Sequence, residues 1–268
     1  MNSLLQSPII GNEKRWYFLS VFYAREQWAE LIIIIMNFYR SWTGIFSTYL
    51  FSFSKERGEH LQVAFASANE NDDYTNIIQI NFQKFVDQRP SDSAIEFPYG
   101  RVLWCNYPNN SLTWNRFRLP VYSNQYISFH QQTMRTALKL MDDDFSEDAI
   151  FTVGLYLFTK ALGCIDIDEQ KEILLKIFDD SVDKDIIRKT LSEIDIVEAS
   201  EAIESYKNEN TNEYSPEIIN WLEQVRDMFK TFNFNAICHF ICKVLGLNGI
   251  SHIIIVELLY KNSFNFQN

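Results

Sequence analysis

The 268-residue chain carries a formal net charge of −11, from 35 Asp and Glu residues against 24 Lys and Arg residues, and it contains no basic block. Because a protein that follows nucleic-acid phosphates needs clustered Lys and Arg, this charge argues against a nucleic-acid partner. Hydrophobic residues make up 47% of the chain and aromatic residues 15%, which is enough for one large core or two modest ones.

The N-terminal segment has no basic region followed by an apolar stretch and a cleavage site, so no signal peptide is predicted. The most apolar run, residues 31–36, is too short to cross a membrane. We therefore expect a soluble, cytoplasmic protein without a membrane partner.

The first elements predicted along the chain are a strand, a helix and a hairpin. Residues 14–23 are rich in aromatic and β-branched side chains, as strands are. Between residues 25 and 40, apolar residues recur at three- and four-residue spacing, which predicts an amphipathic helix. Over residues 45–65, two alternating runs flank a charged turn with Gly58 and predict antiparallel strands at 46–54 and 60–66.

A second helix and a fourth strand complete the first part of the chain. Asp73 or Thr75 can cap a helix that runs to about Gln88, and residues 101–107 have the composition of a strand. The resulting order, β-α-β-β-α-β, is typical of a ferredoxin-like fold, in which two helices cover one face of an antiparallel sheet. Residues 113–121 predict one further strand.

Beyond Tyr122 the spacing of apolar residues is helical. Helices are predicted at 131–141, 147–162, 168–178, 184–191, 216–231, 235–245 and 250–260. The polar stretch 200–214 is predicted to be a mobile loop. The expected fold class is α+β, with a ferredoxin-like antiparallel sheet part over residues 1–121 packed against a mainly helical part over residues 122–268, as one compact unit.

The cysteines and an acidic run suggest metal sites only weakly. The four cysteines are too far apart in sequence for a disulfide framework, although Cys238 and Cys242 have helical i, i+4 spacing with His239 between them. Zinc would need two further ligands that the sequence does not place nearby, and Asp142, Asp143 and Asp144 lack spaced oxygen ligands for another cation. Buried thiols, a solvated acidic helix end and no metal are predicted.

Four segments share one resemblance. They are the strand that begins at His60-Leu61, residues 122–130 (YSNQYISFH), residues 145–149 (FSEDA) and residues 238–246 (CHFICKVLG). In this order they are similar to motifs of the C-terminal, glutamate-eliminating domain of class I lantibiotic dehydratases, also called the thiopeptide-type bacteriocin biosynthesis domain. The resemblance covers most of the chain.

The resemblance implies a β-elimination. In that family, Ser or Thr side chains of a ribosomally made precursor peptide are glutamylated elsewhere, and this domain removes the glutamate to leave a dehydroamino acid. The reaction needs a base for the Cα proton, for which histidine is suited, and cationic donors for the departing carboxylates, for which arginine is suited. His239 matches the family's histidine and is the candidate catalytic base. The resemblance implies no cofactor.

Most of the family's other polar positions are replaced here. The two arginines of the hairpin strand are Gln62 and Ala64, and the glutamate and arginine of the central motif are Gln125 and Ser128. The candidate substrate-binding residues are His60, Gln62, Gln125, Arg116, Arg118 and Lys243, and the cations available to compensate are Arg57, Arg116, Arg118 and Lys243.

The same residues have plainer interpretations, which the sequence leaves open. His239 would then be a core histidine, and His60 a structural residue beside a turn. Arg116 and Arg118 would lie on a solvated face of the predicted strand.

The resemblance thus predicts a carbon–oxygen lyase of lanthipeptide or thiopeptide biosynthesis that acts on a precursor peptide, with a separate glutamylating dehydratase subunit as partner. The loss of four polar positions keeps two alternatives open. One is a cyclase like the pyridine synthases of thiopeptide pathways, and the other is a non-catalytic subunit that binds the precursor or scaffolds the dehydratase. The oligomeric state, including a homodimer, is also open.

Overall fold

The computed structural model describes residues 14–67, 69, 72–92, 106–120, 123–179, 189–191 and 196–264. The chain divides into two compact units, Met1–Gln131 and Gln132–Asn268. The described strands belong to the first unit, and the described part of the second unit is helical. The predicted α+β class with an antiparallel sheet is confirmed.

The first unit is built on one four-stranded antiparallel sheet with the order β2-β3-β1-β4. Its strands are β1 (Arg15–Phe22), β2 (Phe46–Ser54), β3 (His60–Ser67) and β4 (Ser111–Trp114). The predicted hairpin, β2 followed by β3, is therefore confirmed. Strands β1 and β3 lie at the centre of the sheet, as in a split βαβ pattern.

An aromatic core joins one face of the sheet to two helices, α1 (Trp28–Ser41) and α2 (Thr75–Gln88). The Trp28 ring stacks on Phe53 with centroids 5.1 Å apart. Phe38 of α1 lies 5.1 Å from Phe65 of β3 and 5.4 Å from Phe82 of α2. Since aromatic side chains bury large apolar areas, these contacts account for how α1 and α2 are held on the sheet.

Helix α3 (Asn124–Met141) begins earlier than the predicted start at residue 131. Its side chains reach the edge strand β2: His130 Nε2 donates to the Phe51 carbonyl at 2.8 Å, and Gln131 Nε2 donates to the Tyr49 carbonyl at 3.0 Å. Because an edge strand otherwise offers open carbonyls to another chain, α3 protects this edge of the sheet.

The strand predicted at residues 113–121 is wrong for most of its length. Pairing with β1 ends at Trp114, and Asn115 has a φ of 55°, in the left-handed region, which turns the chain out of the sheet. Of the strand predicted at 101–107, residues 101–105 lie outside the described residues, and Tyr107 is not in a strand.

The helices of the second unit are α4 (Glu147–Leu162), α5 (Ile167–Asp179), α6 (Ile196–Asn208), α7 (Pro216–Met228), α8 (Phe234–Leu245) and α9 (Gly249–Phe264). Side-chain caps fix several starts: Ser146 Oγ accepts from Ala149 N at 3.2 Å, and Ser215 Oγ accepts from Ile218 N at 3.4 Å. Gly246, with a φ of 67°, ends α8. The helix predicted at 184–191 falls mostly outside the described residues.

The mobile loop predicted at residues 200–214 is also wrong, because most of it belongs to α6 and a following 3-10 turn. Ile203 is fully buried, and the Tyr206 ring packs edge-on against Tyr156 at 5.0 Å. A few well-placed contacts therefore order a segment whose overall composition is polar.

Among the residues that the structure describes, no helix combines the length and the apolar character needed to cross a membrane.

Candidate functional site

His60 lies at the start of β3, fully buried among aromatic rings. Its ring centroid is 4.4 Å from that of Phe22 and 4.9 Å from that of Phe117. Nδ1 donates to the Gly58 carbonyl at 2.8 Å, so Nε2 carries the lone pair, and the Gln62 amide lies 3.5 Å from it. Burial lowers the pKa of His60 to about 4, so the ring is neutral at physiological pH.

The turn before His60 needs its glycine. Gly58 has a φ of 119°, and a Cβ there would lie 3.3 Å from the Phe22 ring. The preceding residue, Arg57, also has a positive φ of 61°, and its carbonyl accepts from Tyr107 N at 2.8 Å. The turn therefore fixes both Arg57 and Tyr107.

Two arginines lie over the Tyr107 ring. The Cζ atom of Arg57 is 5.3 Å from the ring centroid, and the Cζ atom of Arg116 is 5.6 Å from it. Both distances are within the range of cation–π contacts. We call Arg57, Tyr107 and Arg116 the arginine–tyrosine cluster. Two of the cations that the sequence offered as replacements for the lost arginines therefore come together.

One of the two acidic residues of the same turn, Glu59, is engaged elsewhere. Glu59 forms an ion pair with Arg25, which is almost fully buried, and Glu59 Oε2 also accepts from Arg25 N at 3.4 Å. This carboxylate is thus part of the turn's anchoring, while Arg116 of the cluster is exposed to solvent and Arg57 is half-buried.

The structure separates Arg116 from Arg118. The two were expected on one face of a strand, but neither lies in a strand. Arg118 Nε donates to the Asn115 carbonyl at 3.2 Å, and its guanidinium lies 6.0 Å from the Phe18 ring instead of over Tyr107. The shared strand face is therefore wrong, because the strand ends before both residues.

Gln62 belongs to a row of polar side chains across the sheet. It is paired in register with Ser20 of β1 and Ser52 of β2, and Ser52 Oγ lies 3.3 Å from His130 Nε2. Ser20 Oγ and His130 Nδ1 are buried without a hydrogen-bond partner in the described part of the chain. Sequence reasoning missed His130, which ends the segment YSNQYISFH; its burial lowers its pKa to about 4.

The other three positions of the lost polar set differ in packing and exposure. Ala64 lies in an apolar cluster with Leu50 and Leu119, where an arginine would be buried among apolar side chains. Gln125 is half-buried in the first turn of α3, and Ser128 on the same helix is exposed.

The second unit holds the predicted base. His239 and Lys243 are both exposed and lie one turn apart on α8. Partial burial, and then the charge of Lys243, lower the pKa of His239, so the ring is neutral near pH 7 and can accept a proton. The alternative of a core histidine is wrong, because the core side of α8 carries Cys238 and Cys242 instead, as buried free thiols.

The second unit also contains a polar cleft of about 800 Å³ that the sequence analysis did not anticipate. At its base lies Lys160, only 6% exposed. Its Nζ is 2.9 Å from Glu209 Oε2 and 2.5 Å from the Tyr214 hydroxyl, and it also donates to the Tyr206 carbonyl. We call Lys160, Glu209 and Tyr214 the lysine network. A signal was available, because Lys160 is the one charged residue of the otherwise apolar stretch 150–162.

Within the residues described by the structure, no three His, Cys, Asp or Glu side chains are grouped so that they could hold a metal ion.

Comparisons with known proteins give a structural likeness without a sequence match. No protein-family model matches the sequence, and no curated protein does. The fold is similar to that of TbtD, a pyridine synthase from thiomuracin biosynthesis, with a TM-score of 0.61 and 12% sequence identity. The alignment covers 94% of this chain and 98% of that chain, so the two share a fold over nearly their whole lengths.

Proposed function

We propose that this protein acts in the biosynthesis of a ribosomally made, modified peptide and takes the precursor peptide as its substrate. The observation that carries the proposal is the extent of the likeness to the thiomuracin pyridine synthase, 94% of one chain and 98% of the other. The motifs that resemble the glutamate-eliminating domain run in the same order over most of the same chain. Both likenesses lead to enzymes that modify peptides.

The proposed reaction is elimination of glutamate from glutamylated Ser or Thr. A base removes the Cα proton, the bond from Cβ to the ester oxygen breaks, and glutamate leaves with its carboxylates. His239 is the proposed base, because its ring is exposed and its lowered pKa keeps it neutral at physiological pH. Lys243, one turn away, is the proposed cation beside it.

The arginine–tyrosine cluster is the proposed carboxylate site. Two guanidinium groups over one ring offer paired donors to the free carboxylate of a glutamyl ester and to the second carboxylate that forms as glutamate leaves. His60 lies beneath the cluster and positions it through Phe22 and Phe117, and Gln62 offers a neutral hydrogen bond. In this proposal the cluster supplies positive charge from other positions of the first unit, where the arginines at residues 62 and 64 are lost.

The experiment is incubation of the purified chain with a synthetic glutamylated peptide, followed by mass spectrometry for the dehydrated product and assay of free glutamate. We expect slow turnover. Each cationic donor removed from such a site typically lowers the rate by roughly 10²-fold to 10³-fold. Arg57→Gln with Arg116→Gln should therefore abolish detectable turnover, and His239→Ala should leave the adduct intact.

The control is Arg40→Gln, which removes one positive charge from an exposed position on α1. It should turn over like the wild type. Equal rates for the wild type and the His239 variant would contradict the assignment of the base, and equal rates for the double variant would contradict the carboxylate site.

A second candidate is a cyclase like the pyridine synthases. The structural likeness to TbtD favours it, as does the loss of the family's arginines at Gln62 and Ala64. A dehydrated precursor would then gain the ultraviolet absorbance of a new aromatic ring, while the glutamylated peptide would stay unchanged. Saturable binding of the precursor with neither product would favour the non-catalytic subunit. Co-purification with a glutamylating dehydratase tests the proposed partner.

A further inference from the structure

The cleft of the second unit has the size of a small-ligand site. Its volume of about 800 Å³ lies within the usual range of roughly 300–1,000 Å³ for such sites. Leu162 and Leu222, both almost fully buried, supply apolar surface, and α4, α5, α6, α7 and α9 all contribute polar side chains. The cleft is therefore lined by side chains from five helices.

Two of the cations that line the cleft have a structural role, because each forms an ion pair with a carboxylate of the protein. Lys160 is neutralised by Glu209 at 2.9 Å, and Lys207 is neutralised by Glu204 at 2.9 Å. Lys207 also bonds to the Asn262 amide, which in turn donates to Ser200 Oγ at 2.9 Å. The Lys160–Glu209 pair connects α4 to the residue that follows α6, and the Lys207–Asn262 bond connects α6 to α9. Both ammonium groups are neutralised, which leaves little net charge for a ligand.

Arg226 is in a different situation. It lies on the cleft wall, exposed, and its charge, followed by hydrogen bonding to the Cys164 thiol, opposes the rise that burial causes in the pKa of that thiol. In the described part of the chain it forms no ion pair with a carboxylate. Because sulfur is a weak acceptor, the planar guanidinium keeps its capacity to bind a carboxylate through two hydrogen bonds.

The lining carries both signs of charge. Asp168 and Lys171 of α5 face the same cleft, so that four cations and three carboxylates line it in all. Glu204 and Glu209 are neutralised by lysines, so a ligand with only negative charge, such as phosphate, would be repelled by the Asp168 carboxylate alone and would offer it no partner. A ligand with one carboxylate and one ammonium group meets an attractive partner for each.

We propose that this cleft binds a zwitterionic ligand, an amino acid or a short peptide, with its carboxylate on Arg226 and its ammonium group beside Asp168. Tyr206 and Tyr214 also line the cleft. The site lies wholly in the second unit and does not depend on the reaction proposed above. Its volume is sufficient for several residues of a peptide.

The test is isothermal titration calorimetry of the full chain with four probes: free glutamate, tetra-alanine, tetra-alanine acetylated and amidated at its ends, and inorganic phosphate. Glutamate or tetra-alanine should bind saturably, and which of the two binds more tightly distinguishes an amino-acid site from a peptide site. Binding of the capped peptide or of phosphate as tight as that of the better zwitterion would overturn the proposal, and so would the absence of binding by both zwitterions.

The variant Arg226→Gln should weaken binding of the zwitterion about tenfold or more, because it removes a charged, bidentate partner. The control is Lys230→Gln, which removes an exposed charge that pairs with Asp227 outside the cleft and should leave the affinity unchanged. Unchanged affinity in the Arg226 variant would contradict the proposal. If that variant fails to fold, as judged by circular dichroism, Lys171→Gln should show a smaller loss of affinity, and no loss would overturn the assignment of charge.

The alkylation rate of Cys164 tests whether the ligand binds in the cleft. Its thiol is half-buried in the cleft wall, whereas Cys238 and Cys242 are buried in the core of the second unit. Bound zwitterion should slow alkylation of Cys164 by iodoacetamide, measured by peptide mapping. An alkylation rate that saturating ligand leaves unchanged would show that binding occurs elsewhere.

Discussion

Each unit of the protein contains a cluster of cations and tyrosines, and the two clusters differ in burial. In the lysine network, Lys160 lies 4.5 Å from the centroid of the Tyr214 ring and is neutralised by Glu209. In the arginine–tyrosine cluster, Arg57 and Arg116 lie 5.3 and 5.6 Å from the Tyr107 ring, with Arg116 exposed. A cation beside a tyrosine ring therefore occurs once in a buried setting and once in a solvent-exposed setting.

The difference indicates which cations are structural and which can serve a ligand. A buried ammonium group must have its charge offset inside the fold, since leaving it unpaired is costly. Lys160 is paired in this way with Glu209 and is therefore not available to bind a charged ligand. An exposed guanidinium is solvated before a ligand arrives and can exchange water for a carboxylate. Removing Lys160 should therefore affect stability, and removing Arg116 should affect binding.

The largest expected effect is that of acid, and it should be greater in the first unit. Burial lowers the pKa of His60 and His130 there, and of His252 in the second unit, each to about 4. Between about pH 6.5 and 4 the unfolded chain binds more protons than the folded one, so stability falls as the pH drops. The slope is at most about 1.4 kcal/mol per pH unit for each histidine.

Urea unfolding as a function of pH measures this loss, and hydrogen exchange compares amides of β3 with amides of α8. The variant His60→Phe should flatten the pH dependence of the first unit. A stability that is constant from pH 7 to 5, or equal slopes for the variant and the wild type, would contradict the account of burial.

The next effect is that of Lys160→Met on stability. Breaking a buried ion pair typically costs about 3–5 kcal/mol, and since Glu209 is one-third exposed we expect about 3 kcal/mol. Urea unfolding measures it against Lys176→Met, an exposed position on α5 where we expect a change within about 0.5 kcal/mol. If the two variants were equally stable, Lys160 would not be the anchor of α6.

A smaller loss is expected for Gly58→Ala, about 1–2 kcal/mol, because alanine is strained at a φ of 119° and its Cβ meets the Phe22 ring. The matched variant is Gly44→Ala, which has no heavy atom within 4 Å of the added Cβ. Thermal unfolding of both should show a lower midpoint only for the Gly58 variant. The Gly58 variant should also bind the peptide more weakly, since the turn holds Arg57 in place.

The smallest effect on stability is expected for Arg116→Gln, within about 0.5 kcal/mol, because the side chain is exposed. Its binding of a glutamylated peptide should nevertheless weaken markedly. A loss of stability as large as that of the Lys160 variant would show that Arg116 is a structural residue and would remove the contrast between the two clusters.

The sheet of the first unit was predictable from sequence because its signals are local. Alternation around Gly58 marks the hairpin, and helical spacing marks α1, so the bounds agree to within a few residues. The strand predicted at residues 113–121 was wrong for most of its length because the chain leaves the sheet at Asn115 through a left-handed φ. Asparagine adopts this conformation more readily than most residues, but its presence alone does not predict it.

The clusters were harder to predict because they depend on distant contacts. Arg57 and Arg116 are far apart in the chain and meet only over Tyr107, and α6 is ordered by partners on α4 and α9. The sequence identified the candidate cations, but it could not show that two of them lie over the same tyrosine ring. The buried lysine was the exception, since a lone charge in an apolar helix points to a partner inside the fold.

The claim that the arginine–tyrosine cluster holds the glutamyl carboxylate of a glutamylated peptide is tested most directly by calorimetry of that peptide against its unmodified form. We expect the wild type and Arg40→Gln to bind the glutamylated peptide more tightly, and Arg57→Gln with Arg116→Gln to bind both peptides alike. A preference for the glutamylated peptide that survives in the double variant would contradict the claim.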